Sequence, residues 1–483
     1  MAASTESMEN AATSLEVVLE SLQKGIVSDT QVEMMRNLTI LFREQPFRES
    51  ADGSFFHHLL QILCQATKVI QPHYITEKCF TPTDEFLQVT TECFRCQRNA
   101  CVECPKNQNS MRDLGFIEVT IRILDKLQKL PTVLSHKLEA LRCGMQFLGN
   151  AAAGNRECKE DIWKLTFPDF FVTFLGYDDE KVVAYCSMVL FTCLDDGKAE
   201  QFLNDKGIEV AFQIINQCAK HPDLDWLILI ITQFFLKSFD LVERLYGKLN
   251  YQERLRLLEL VYSEVEDSAS CMKESVVSEK LAMFLADHFQ HSCKSILKLE
   301  DETAEVDEEC HIIIKLLNIL CEMTSDIKKF MFLQQYPEIL KITVELLREV
   351  HLSGKTKKNI FSGTHDFAQI RTVSHPAVGF KAYLIRLIGN LCYKNPENQN
   401  KVRELDGIPL ILDNCCIDGN NPFINQWAIF TIRNVLEDSQ ENQEIIRQMK
   451  SQGVADPSTL RDLGFCVEER DGRLLLKPVK KGK

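Results

Sequence analysis

Four cysteines between positions 93 and 104 have the spacing in this chain that most resembles a metal site. Cys93 and Cys96 form one C-x-x-C pair, and Cys101 and Cys104 form a second. Zinc ribbons separate two such pairs by ~15–20 residues so that both converge on one ion. Here four residues intervene, and on a continuous helix the outer thiols would lie about 16 Å apart along the axis. We therefore expect buried hydrophobic side chains, with no metal and no other cofactor.

Sequence patterns of enzyme active sites do not occur in the chain. It has no G-x-S-x-G, H-E-x-x-H or G-x-G-x-x-G pattern. Gly354-Lys355-Thr356 matches only the end of a phosphate-binding loop, because Glu349 stands where the first Gly is needed and no apolar strand precedes it. We therefore predict a protein without catalytic activity.

A repeated cassette organises the chain instead. It consists of an apolar helix that ends in Asn, a later Asn-Gln or similar pair, an apolar position and a Gly. The clearest copy runs from Asn390 through Asn398-Gln399 and Val402 to Gly407. Further copies begin at Asn99, Asn150 and Asn434. A unit of this kind cannot bury its own apolar face, so its copies stack into a solenoid with a long binding surface.

Composition limits the classes of fold and partner. Apolar residues at spacings of three and four dominate from Leu15 onward, which predicts an all-α fold. The formal net charge of −14 and the pI near 5.4 argue against a nucleic-acid partner or an anionic membrane. Nineteen cysteines without a secretory signal indicate a cytoplasmic protein, and the apolar run Trp226–Leu236 is too short for membrane insertion.

Periodicity and composition divide the chain into five predicted parts. These are a disordered N-terminus (1–14), partly degenerate helical repeats (15–350), an exposed loop or linker (351–376), C-terminal repeats (377–474) and a basic tail (475–483). Two points stay open: whether 195–300 contains true repeats, and whether Arg473–Leu476 is a strand or a last helical turn.

The asparagines that end the apolar helices are the strongest candidates for a binding site. They are Asn99, Asn150, Asn390 and Asn434, which we call the ladder asparagines. Asn is unfavourable inside a helix unless its amide has a partner. One alternative is that these amides hold the backbone of an extended peptide in a groove. The other is that each caps or cross-links its own repeat. The sequence favours neither.

The cassette resembles the armadillo repeat, a three-helix unit with an Asn late in its third helix. More specifically, segments 92–104, 142–150 and 379–393 closely resemble the ataxin-10 family of vertebrates. Asp406–Cys415, Asn421–Phe423 and Gln426-Trp427 extend the resemblance, which covers about 32–476. It implies an armadillo-like α-solenoid.

The resemblance also implies a function. It indicates a non-catalytic scaffold in cytokinesis, in neurite outgrowth through Ras and MAP kinase signalling, in neuronal survival and in stimulation of O-GlcNAc glycosylation. The implied partners are O-GlcNAc transferase and a heterotrimeric G-protein β subunit. The implied location is cytoplasmic and perinuclear, at the centrosome or basal body and the midbody.

The resemblance assigns self-association, as a homo-oligomer, to 377–474. A solenoid end exposes an apolar helix face unless a polar cap covers it. We expect that face to consist of Ile424, Ile429, Ile432 and Val435.

A karyopherin-like transport adaptor is the alternative function. Armadillo proteins of that type place Trp four residues before the ladder Asn. This chain has Arg95, Gln146, Arg386 and Phe430 there, which disfavours recognition of basic signal peptides.

Overall fold

The computed structural model describes most of the chain, and the described residues form two compact units, 1–256 and 257–483. The described residues are 2–70, 84–130, 136–271, 276–299, 308–326, 328–356, 360–362, 375–416, 418–449, 465–470 and 473–478. The predicted loop or linker, 351–376, falls within the range of the second unit. Each unit is described by itself below.

The first unit consists of helices. They are α1 (Ala2–Gln23), α2 (Asp29–Leu41), α3 (Gln45–Ser50), α4 (Gly53–Val69), α5 (Asp84–Ala100), α6 (Pro105–Leu114), α7 (Phe116–Gln128), α8 (Lys137–Ala152), α9 (Arg156–Thr166), α10 (Asp169–Leu175), α11 (Glu180–Cys193), α12 (Asp196–Ala199), α13 (Asp205–Lys220), α14 (Asp225–Ile230) and α15 (Phe239–Tyr246). Short 3-10 and π segments cover Glu200–Leu203 and Ile231–Phe235. The boundary between the units falls within α16 (Tyr251–Cys271).

The second unit continues with helices and ends in a β-hairpin. Its helices are α17 (Glu279–Ser292), α18 (Glu308–Ser325), α19 (Pro337–Thr356), α20 (Phe380–Cys392), α21 (Pro396–Glu404), α22 (Gly407–Asp413), α23 (Ile424–Leu436) and α24 (Gln440–Gln448), with 3-10 segments Cys293–Lys298 and Met331–Gln335. Strands β1 (Phe465–Arg470) and β2 (Arg473–Pro478) pair antiparallel, with Cys466 opposite Lys477.

One helix of each repeat packs beside its counterpart in the next repeat. In the first unit these are α2, α5, α8 and α11, and in the second unit α18, α20 and α23. We call them the ladder helices. Together they confirm the predicted all-α, armadillo-like class of fold.

A residue with a left-handed backbone conformation lies in the turn that follows each ladder helix with a ladder Asn. The residue four positions after the Asn has φ of +49° to +71°; the four are Glu103, Gly154, Lys394 and Asp438. Glycine adopts this region without the steric cost that a Cβ brings. In three of these turns the next residue caps the following helix, because its side-chain oxygen accepts a backbone N–H. These caps are Asn155, Asn395 and Ser439.

Helix α1 corrects the predicted disorder of residues 1–14. The helix begins at Ala2, and Ala11 is buried together with Leu15. The apolar stripe therefore extends one turn before Leu15, and the Ala and Glu residues of this segment favour helix.

The predicted linker and tail also need correction. Helix α19 continues to Thr356 because a single Gly354 near a helix end costs only about 1 kcal/mol. Ile360 and Phe361 are buried, not exposed, whereas 357–359 and 363–374 lie outside the described residues. The predicted basic tail overlaps β2, which ends at Pro478. Its remainder, 479–483, is not described.

The four clustered cysteines are buried, as expected, although no continuous helix carries them. Cys93 and Cys96 lie in α5, which ends at Ala100, and Cys104 is the N-cap of α6. Cys101 lies in the turn between the two helices, with its Sγ 3.6 Å from Met111 Sδ. The left-handed Glu103 breaks the helix that the sequence predicted here.

Candidate functional site: the asparagine ladder and the end face of α23

The four ladder asparagines share one contact: each side-chain amide donates to a backbone carbonyl of the preceding ladder helix. The pairs are Asn99 with Thr39 (3.0 Å), Asn150 with Arg98 (3.0 Å), Asn390 with Cys321 (3.1 Å) and Asn434 with Gly389 (2.9 Å). Every pair lies within one unit. Each ladder Asn therefore cross-links two neighbouring repeats.

Burial of these side chains agrees with that contact. Asn99, Asn390 and Asn434 are buried and Asn150 is half-buried. The ladder is interrupted at α11, where Thr192 stands in place of Asn and its hydroxyl donates to Met188 in its own helix at 2.7 Å. The geometry is that of the cross-linking alternative, and a role of the ladder in peptide binding stays a prediction.

The Asn-Gln pair of the cassette makes a second set of cross-links that sequence reasoning did not assign. The Asn398 amide donates to its own repeat at Leu391 (2.8 Å) and to the preceding repeat at Gln334 (2.8 Å). The Gln399 amide donates to the carbonyl of Asn434 in the following repeat at 2.9 Å. Equivalent bonds are made by Asn107, Gln108 and Asn442. The pair therefore holds consecutive repeats in register.

Gln334 plays the same part without a recognisable cassette. Its amide donates to the carbonyls of Asn390 and Tyr393, each at 3.0 Å. The ladder position of α18 is Glu322, because Asn390 donates to the carbonyl just before it. Gln334 lies 12 positions after Glu322, whereas Gln399 lies 9 positions after Asn390. Because of that longer spacing, the cassette frame does not fit Glu322 and Gln334.

Ion pairs occupy two of the positions where karyopherin-like proteins carry Trp. Arg95 bonds both Glu92 and Glu139. Arg386 makes two bonds to Glu322, at 2.7 and 3.0 Å, and its guanidinium lies 4.8 Å from the ring centroid of Trp427. Burial lowers the pKa of Arg386, but the hydrogen bond to Glu322 and the negative charge of Glu322 raise it by more. The pKa of Arg386 is therefore above its usual value. These guanidiniums therefore bridge repeats.

The predicted self-association face is only partly exposed. Ile424 and Val435 are buried, which corrects their assignment to the surface, because they point into the unit that α23 helps to form. Ile432 is half-buried and Ile429 is 65% exposed. The accessible part of the predicted face is therefore Ile429 and the edge of Ile432, which we call the end face.

The exposure of Ile429 is unusual for its position in the repeat. It lies five residues before the ladder position, and the same position is fully buried in the ladder helices that precede α23. Those residues are Met35, Phe94, Met145, Ser187, Leu317 and Ile385. Ile385, for example, lies beneath α23, where its carbonyl accepts the hydroxyl of Thr431 at 2.8 Å. Gln443, at the position of Gln399, donates its side-chain amide to the carbonyl of Leu436 in its own repeat at 3.0 Å.

The buried cysteines are poorly suited to nucleophilic chemistry. Burial raises the pKa of the Cys158 thiol to about 11 and that of Cys96 well above its usual range, so both stay protonated at neutral pH. Within the described residues, no group of three or more His, Cys, Asp or Glu side chains is arranged to hold a metal ion. No helix in the described part of the chain meets the length and apolarity needed to cross a membrane.

The stacked ladder helices and their amide cross-links define an armadillo-like helical-repeat protein. A family model described as "Spinocerebellar ataxia type 10 protein domain" matches residues 380–477. Ataxin-10 of Xenopus tropicalis is 46% identical over 446 residues, 92% of this chain and 91% of that protein. Ataxin-10 of Homo sapiens is 42% identical over 455 residues, 93% of this chain and 94% of that protein. The chain therefore belongs to the ataxin-10 family.

Proposed function

We propose that the chain is a non-catalytic scaffold that binds other proteins and associates with itself through the end face of α23. The exposure of Ile429 carries the proposal, because the preceding ladder helices bury this position under the next repeat. An apolar helix face that a solenoid leaves uncovered is a site for a partner.

A second copy of the chain is the occupant that we favour. The family-model match at 380–477 spans α20 to β2 and includes the end face, and the resemblance assigns self-association to the same part of the chain. Burial of Ile429 in a homo-oligomer would remove apolar surface from water, which is the main favourable term in most protein association.

Light scattering on the full chain tests this proposal. The Ile429→Asp variant places a charge in the contact and should shift an oligomer to a monomer. The control is Ile40→Asp, because Ile40 is an exposed isoleucine, at 48%, on the ladder helix α2 of the other unit. An oligomer that survives Ile429→Asp, or one that Ile40→Asp also disrupts, would contradict the proposed surface.

The biological roles form the wider part of the proposal. We propose that the scaffold acts in cytokinesis, Ras and MAP kinase signalling in neurites, neuronal survival and O-GlcNAc glycosylation, at the centrosome or basal body and the midbody. O-GlcNAc transferase and a G-protein β subunit are the proposed partners. Co-precipitation of each with the wild type and with Ile429→Asp separates partner binding from self-association.

A further inference from the structure

Three residues of the predicted linker are held by the second unit. Ile360 and Phe361 are 0% and 2% exposed, and the ring of Phe361 lies 5.8 Å from that of Phe380. We call residues 360–362 the bound segment, because both of its apolar side chains are packed within the second unit.

The contacts to the bound segment are mainly to its backbone. The Asn420 side-chain amide donates to the carbonyl of Ile360 at 2.9 Å, and the Asn421 amide donates to the carbonyl of Phe361 at 2.7 Å. Lys381 Nζ lies 2.8 Å from the hydroxyl of Ser362. Ile360 and Phe361 lie in a turn, and the two side-chain amides bind its main chain through successive carbonyls, as amides do in peptide-recognition sites.

The residues that make these contacts are buried and fix one another. Asp418 pairs with Lys381 at 2.8 Å, with side chains 1% and 4% exposed. Asp418 also accepts from the Asn421 amide and from the backbone N–H of Asn420, each at 3.0 Å. We call Lys381, Asp418, Asn420 and Asn421 the segment clamp. The clamp is preorganised, and without an occupant the buried side-chain amide of Asn420 would lose its acceptor, the Ile360 carbonyl, which is unfavourable.

We propose that the segment clamp is a peptide-recognition site that the chain fills with its own residues 360–362. Its ligand is a short peptide with an apolar, an aromatic and a hydroxyl-bearing residue in succession. Phe380 and the buried environment of Phe361 select the aromatic residue, Asn420 and Asn421 bind the backbone, and Lys381 selects the hydroxyl group. The site is separate from the end face of α23 and does not depend on self-association.

Covalent attachment explains why the chain's own segment occupies the clamp. A short connection gives a tethered segment an effective concentration of roughly millimolar, and only three residues separate Thr356 from Ile360. A free peptide of the same sequence therefore binds well only after the tethered segment has been weakened.

The test is a fluorescence-anisotropy titration of full-length protein with a labelled peptide of residues 357–366. The protein variant Ile360→Ala with Phe361→Ala weakens the tethered segment and should bind the peptide at least tenfold more tightly than the wild type. Adding Asn420→Ala should abolish this gain, because the Asn420 amide binds the carbonyl of Ile360. Asn420 is chosen over Asn421 because Asn421 also caps α20, where its side-chain oxygen accepts the Lys381 N–H at 3.0 Å. A peptide with Phe361→Ala should not bind.

Two controls keep the outcome decisive. Leu352→Ala, at a 52% exposed position of α19, should leave peptide binding as in the wild type. If the double variant melts below the assay temperature, Phe361→Leu replaces it, because Leu keeps an apolar side chain at the site. Equal binding to the wild type and the weakened variants, no binding to any of them, or equal binding of the Phe361→Ala peptide would overturn the proposal.

Discussion

The side-chain amide of Asn434 donates to the backbone carbonyl of Gly389 at 2.9 Å and so bonds α23 to α20 at a close approach of the two helices. A Cβ at Gly389 would come within 2.4 Å of the Thr431 hydroxyl and 3.0 Å of the Phe430 ring. The absence of a side chain at Gly389 and the amide of Asn434 therefore both contribute to this helix contact. Glycine allows the close approach, and Asn supplies a polar bond across it.

Replacement of Asn434 by Ala should lower the free energy of unfolding by about 1–3 kcal/mol, because a buried hydrogen bond between repeats is lost. Chemical denaturation followed by circular dichroism measures the change. Asn37→Ala, at an exposed position of α2, is the control and should change stability by less than ~0.5 kcal/mol.

The same experiment separates the two roles considered for the ladder. If Asn150 and Asn390 cross-link repeats, their Ala variants should lose stability and bind a folded partner normally below the melting temperature. Unchanged stability with weakened partner binding would instead support the peptide groove.

Gly389→Ala should destabilise the second unit by about 1–3 kcal/mol. The added methyl group would clash with the hydrogen-bonded hydroxyl of Thr431 and the ring of Phe430. Gly149→Ala is the comparison: its Cβ would meet the methyl end of Met188 at 2.3 Å, and that flexible side chain can move aside. Thermal melts should therefore show a larger loss for Gly389→Ala. A larger loss for Gly149→Ala would contradict this account of the two helix contacts.

Gly154→Ala should cost about 1–2 kcal/mol through backbone conformation alone. Gly154 has φ of +71°, and nothing lies within 4 Å of an added Cβ. Gly247 is the matched control, because it has equally open surroundings but φ of −67°. Denaturant midpoints should fall for Gly154→Ala and stay level or rise for Gly247→Ala. A similar response of both variants would show that the sign of φ is not the cause.

Alkaline pH should destabilise the protein through its buried thiols. Burial raises the pKa of Cys158 from an ordinary value of 9.0 to about 11, so folding favours the protonated thiol. Its contribution to stability is complete below pH 9.0 and is lost as the pH rises toward about 11. Urea denaturation across this range should show a fall that is smaller in Cys158→Ala than in the wild type. An equal fall in both would remove Cys158 as a cause.

The helical repeats and their ladder positions could be predicted from the sequence because both depend on local spacing. An Asn that ends an apolar helix recurs at Asn99, Asn150, Asn390 and Asn434, and each proved to occupy an equivalent place. Burial of the clustered cysteines also followed from spacing, since two adjacent C-x-x-C pairs are too close for a zinc ribbon. The disorder predicted at the N-terminus was wrong because low apolar content does not prevent Ala-rich sequence from extending a helix.

Only the tertiary structure decided which surfaces are covered. Ile424, Ile429 and Val435 share the apolar character from which a single face was predicted, yet α20 and its neighbours bury the first and third and leave Ile429 exposed. Helical periodicity identifies apolar positions but not the side on which the next repeat lies. Likewise, the clamp around Ile360–Ser362 joins residues about 60 positions apart. Such contacts leave no local pattern, because they arise only when the chain returns on itself.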